Sequence, residues 1–158
     1  MRLTVGNKVV YPSQGPCRIG HIVKREVKGT LIRFYHLVIL GDSGGELYVP
    51  VDKAQGIGVR LLLNKSEIPK LFGQPKRDIG NGRQQAVENL KLFSSGSPFD
   101  LAIIIESLTD LKATKTLTIG QSRTLEKARR LLICEIAEVL EETKDETERR
   151  LDQTLKAH

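Results

Sequence analysis

A chain of 158 residues, 39% hydrophobic and only 4% aromatic, suffices for one ordinary domain or for two small ones that support each other. Its formal charge of +6 favours an anionic partner or simple solubility. The longest apolar run, Leu101 to Ile105, is far too short for a membrane span, and the start has no apolar leader. A cytoplasmic protein with two reduced thiols, Cys17 and Cys134, is therefore expected.

From Leu3 to about Leu63 the pattern is β. Val9, Val10 and Tyr11 favour a strand, and Pro12, Gly15 and Pro16 break it at a corner. Arg18 to Val27 alternates only weakly, Lys28-Gly29-Thr30 reads as a turn, and Leu31 to Leu40 as a β-branched and aromatic strand. Gly41 to Gly45 is the strongest turn signal, with Glu46 to Val51 as the return strand. Five strands in about sixty residues predict a small, strongly bent barrel.

From Asn64 the period becomes helical. Asn64 with Glu67, Ser97-Pro98 with Asp100, Thr118 with Gln121 and Thr143 with Glu146 each offer an N-cap residue and a polar partner three positions on. Leu101, Ile104, Ile105 and Leu108 keep helical spacing, as do Leu125, Ala128, Leu132, Ile136, Val139 and Leu140; both stripes read as packed core. A last helix over about 144–156 offers mainly Leu151 and Leu155 and is expected at the periphery. The polar stretch Gly73 to Arg83 reads as an exposed loop. The fold class is α+β: an N-terminal five-stranded barrel (1–63), then a bundle of four to five helices (64–158).

Charge is uneven. Residues 1–63 carry nine Lys/Arg against four Asp/Glu, a net of +5, and the rest sixteen against fifteen, a net of +1. Within the helical part Lys112, Lys115, Arg123, Lys127, Arg129 and Arg130 face only Glu126 before the chain turns acidic over 131–152. Such a run is either a solvated helix face or a nucleic-acid patch.

Enzymatic chemistry finds no foothold. GxGxxG, GxxxxGK[ST] and GxSxG are absent. His21, His36 and His158 lack neighbours at metal-ligand spacing, and the cysteines form no CxxC. Cys17 beside Arg18 has no base placed in sequence and reads as a buried or idle thiol. No enzyme, metal, cofactor or small-molecule substrate is expected.

The opening Val5-Gly6-Asn7-Lys8-Val9-Val10-Tyr11-Pro12-Ser13-Gln14-Gly15 resembles the VGDxVVYPxxG start of the CarD/CdnL family of bacterial RNA polymerase-binding transcription regulators. Further along, Arg25-x-x-Lys28-Gly29, Val49-Pro50-Val51, Gly58-Val59-Arg60, Ser95-Gly96 and Leu125-Glu126-Lys127-Ala128-Arg129 follow in the family's order. The resemblance implies a Tudor-like (SH3-like) barrel over 1–63 that docks on the polymerase β subunit. It implies a helical domain over 64–158 that faces promoter DNA and modulates open-complex stability without enzymatic activity.

Carried over by residue, the polymerase contacts are Arg25, Tyr48, Val49 and Pro50, and the DNA-facing positions are Gly82, Arg83, Gln84, Lys91, Lys112, Lys115 and Arg123. Arginine suits docking because its planar fork holds a carboxylate bidentately. Tyr48 stands where the family often has a second interface residue, sometimes arginine.

The chain departs from the family at Gly82-Arg83-Gln84-Gln85, where many members place a tryptophan followed by basic residues. Glycine has nothing to insert at a base step, and the glutamines remove phosphate-neutralising charge. DNA is therefore expected to be bound weakly, and only within the polymerase complex. The alternative reading is a paralogous module that docks on polymerase or another protein without engaging DNA.

Overall fold

The computed structural model describes residues 3–41, 44–73, 91 and 95–157. The chain divides into two compact units, Met1–Leu62 and Leu63–His158.

The first unit is one antiparallel sheet of five strands: β1 (Lys8–Tyr11), β2 (Gly15–Val27), β3 (Thr30–Ile39), β4 (Glu46–Pro50) and β5 (Arg60–Leu61). Their order is β4-β3-β2-β1-β5, so β4 and β5 are the edges. The corner predicted between the first strands turns on Ser13 and Gly15, with φ of 73° and 89°. Lys28 and Gly29, at φ 52° and 79°, form the two-residue turn joining β2 to β3. Two consecutive positive φ angles match the twist of paired strands, as in a type I′ hairpin. A 3₁₀ turn (Val51–Lys53) and α1 (Ala54–Ile57) lead back to β5.

The strands are less uniformly short than predicted. β2 has 13 residues, β3 has 10 and β5 only 2. Val9, Cys17, Ile19, Leu37 and Val49 close the core on one face of the sheet, each at most 1% exposed. Burial pushes the Cys17 thiol from 9.0 up to about 11, although a backbone hydrogen bond from Tyr11 opposes the shift.

In the second unit the capping signals at Asn64 and Glu67 form a capping box, but on a six-residue 3₁₀ helix, Lys65–Lys70, with Pro69 inside it. Among the described residues the long helices are α2 (Pro98–Thr114), α3 (Ile119–Leu140) and α4 (Lys144–Ala157). Ser97 caps α2 by accepting from the Phe99 amide at 3.2 Å, whereas Asp100 accepts from the Ser95 hydroxyl. Thr118 and Gln121 close a capping box on α3, and Thr143 accepts from the Glu146 amide at 3.1 Å. Leu101, Ile104, Ile105, Leu108, Leu125, Ala128, Leu132 and Ile136 form the core, as their spacing predicts.

One side chain departs from its sequence reading. Glu135, within the acidic run, is 1% exposed and accepts from the Leu63 amide at 2.9 Å. A buried carboxylate is tolerated because it satisfies a backbone donor that would otherwise lose its water. The peripheral α4 is held by Leu151, 3% exposed, and by Arg129 of α3, which reaches Asp152 at 2.9 Å and Glu148 at 3.4 Å.

Two outcomes follow. Glu135→Ala leaves the Leu63 amide unsatisfied and costs about 1–3 kcal/mol in chemical denaturation, while Glu135→Gln, which keeps an acceptor, loses less. For Cys17 the folded pKa is raised, so its stabilising contribution is complete below pH 9 and is lost as pH rises toward 11. A thiol-reactive dye at pH 8 should therefore label the half-buried Cys134 first and Cys17 only on unfolding.

Candidate functional site

The weak alternation of β2 has a cause. Ile19 pairs with Leu37, but His21 pairs with His36, so two steps on β2 oppose one on β3, a β-bulge at Gly20. Before the bulge Cys17 and Ile19 point into the core; after it Ile22, itself 39% exposed, lies on the same side as its partner, buried Tyr35. His21, Val23 and Arg25 are thereby turned to the outer face. Without the extra residue, strand alternation would carry all three inward behind Ile19.

Gly20 is required here by space. A Cβ at Gly20 would lie 2.9 Å from His36 Nδ1, closer than any real contact allows. The glycine lets the strand lie flat against the imidazole.

The outer face then carries a row of rings. The register aligns His21, His36 and Tyr48 across β2, β3 and β4. Ring centroids are 4.5 Å apart between His21 and His36, and 5.1 Å between His36 and Tyr48, each pair tilted by 37°. His36 is buried, with Nε2 3.4 Å from Glu46 Oε2, and its buried Nδ1 has no hydrogen-bond partner. Arg25 ends the row, its Cζ 4.8 Å from the Tyr48 ring centroid. Such a cation over a ring contributes roughly 0.5–1 kcal/mol at an exposed site.

Arg25 and Tyr48, chosen separately from the sequence, are thus adjacent. Both are exposed, Tyr48 by 44%. Pro50 is half-buried at the end of β4, opposite Phe34. Val49 is 1% exposed, and its side chain belongs to the core because strand alternation points it away from Tyr48. At that exposure neither the side chain nor the backbone of Val49 lies at the surface.

Gly20, His21, His36 and Glu46 are members of this face that the sequence reading did not select. The available signal was a glycine interrupting a strand pattern, which marks a bulge and a change of face.

In the helical unit Lys112, Lys115 and Arg123 are exposed at the end of α2, its cap and the first turns of α3. Lys91 is exposed, and Gly82, Arg83 and Gln84 lie outside the described residues. Arg129 is drawn away from the basic run by its two carboxylates on α4. Glu142, in the acidic stretch, is half-buried and accepts from Arg150 and Thr147, which hold its carboxyl below the usual range. Among the described residues there is no cluster of three or more metal-ligating side chains, and no helix is long and apolar enough to cross a membrane.

Two family models match this chain: the CarD-like/TRCF RID domain over residues 3–61 and the CarD C-terminal domain over residues 70–152. Among solved structures it is similar to the solution NMR structure of the 72-residue N-terminal domain of Myxococcus xanthus CarD. That match has 40% identity and a TM-score of 0.32, covering 38% of this chain and 79% of the other.

Proposed function

We propose that this chain, which belongs to the CarD family of RNA polymerase-interacting transcription regulators, docks on the polymerase β subunit through its N-terminal sheet and modulates open-complex stability through its helical domain. The observation that carries this reading is the Arg25–Tyr48 pair. A guanidinium laid over an aromatic ring keeps its N–H edge free, so it can still fork onto a carboxylate while its orientation is restrained. Pro50, at the end of edge strand β4, borders that pair and extends the docking surface.

Residues 1–63 would supply the polymerase contact and 64–158 the surface facing promoter DNA, with no chemical step to catalyse. Lys91, Lys112, Lys115 and Arg123 suit phosphate contacts of the sequence-independent kind. Arg83 adds to them, whereas Gly82 and Gln84 contribute neither wedge nor charge. Tethering by polymerase raises the effective concentration of weak contacts, so DNA binding belongs to the complex rather than to the free protein. The second reading, a docking module that leaves DNA untouched, draws its support from Gly82 and from Gln84 and Gln85, which lack the wedge and the charge.

Calorimetry with a purified bacterial β subunit tests the docking step. Arg25→Glu should abolish binding, since it places like charge opposite the partner's carboxylate; undiminished binding would sink the assignment. Gly82→Trp separates the two readings. Longer-lived promoter complexes in a dissociation assay would mean that the helical domain already lies beside DNA and lacks only the wedge. An unchanged lifetime favours the module.

A further inference from the structure

We infer that His36, seated against Gly20, is a positioning residue of the outer face: it holds the Tyr48 ring where Arg25 can lie across it. The docking reading leaves this buried imidazole idle, and the relevance of its role to a partner rests on that reading.

His36 sits in the middle strand of the three, and its ring is confined on every side the structure describes. From β2, the His21 ring stacks on it at 4.5 Å, and the Gly20 backbone closes against Nδ1 so tightly that even a methyl group would collide. From β4, the Tyr48 ring meets it at 5.1 Å, and Glu46 takes the Nε2 edge at 3.4 Å. Only 7% of the residue reaches solvent.

A polar ring is costly to bury with one nitrogen unpartnered, so packing must compensate. What that packing fixes is Tyr48. The tyrosine is on an edge strand and 44% exposed, and among the described residues its ring meets His36 on one side and Arg25 on the other. If the His36 ring is removed, Tyr48 gains rotameric freedom, and the guanidinium loses a fixed surface to lie on. If Gly20 gains a methyl group, His36 is pushed out of its seat, and the disturbance passes along the row to Tyr48.

The role of His36 here is steric and aromatic. Phenylalanine should therefore replace it and alanine should not.

The test reads the free protein and the complex separately. In the free protein, the Arg25 side-chain protons should resonate upfield because of the ring beneath them. His36→Ala and Gly20→Ala should move them toward unstructured values, and His36→Phe should restore them, with the amide spectrum confirming a folded sheet in each. In calorimetry against the β subunit, His36→Ala and Gly20→Ala should bind about two- to fivefold more weakly, the range of an exposed cation–π contact, and His36→Phe should bind like the parent. Unmoved Arg25 resonances and unchanged binding in His36→Ala would overturn the inference, as would failure of phenylalanine to restore the shift. If Arg25→Glu leaves β-subunit binding intact while His36→Ala still releases the Arg25 shift, the positioning role stands and the docking reading falls.

Discussion

What β2 contributes to the outer face depends on the one extra residue within it. A strand alternates strictly, so the bulge at Gly20 exchanges inside for outside for all that follows it: Ile22 replaces His21 on the core side, and Arg25 comes to the surface. The bulge also explains why a glycine stands in mid-strand, where it weakens pairing and packs nothing. The local loss is offset by a core that keeps Cys17, Ile19, Leu37 and Val49 together and by a ring row that cannot otherwise form. Val49 and Tyr48 show the same alternation two strands away, the first anchoring β4 in the core and the second facing outward.

The helical unit is organised around satisfied backbone ends. Ser97, Thr118 and Thr143 each take an orphan amide at the start of a long helix, and Glu135 does the same for Leu63, where the unit begins. Gly73, just past the 3₁₀ helix, donates in turn to Glu106 of α2 at 2.6 Å. Carboxylates thus serve as acceptors for irregular backbone as well as surface charge. The basic run divides accordingly: Arg129 fastens α4, while Lys112, Lys115 and Arg123 stay exposed around one helix corner.

Much of this was legible in the sequence. Cap residues, the helical stripes and the glycine-rich turns act through local chemistry, and local chemistry can be read along a chain. The elements that escaped are set by partners distant in sequence. Glu135 lies in an acidic run and reads as solvated, and the amide of Leu63, 72 positions away, helps make its burial sensible. The cap signal at Asn64 was correct, yet it opened a 3₁₀ helix because Pro69 interrupts the ladder. Arg25 and Tyr48 were selected one at a time. Their adjacency, and the part of His36 beside them, required both the strand register and the bulge.

The order of the strands also orders events in time. Along β4-β3-β2-β1-β5, the pairings that build the outer face join strands adjacent in sequence, and only β1 with β5 spans the whole unit. Local pairings incur the least loop-closure entropy and so tend to form first. A nascent chain therefore holds everything the face needs once Pro50 has been synthesised, ten residues before β5 begins at Arg60. The strand pairings of the outer face can thus form before the sheet that displays them is complete.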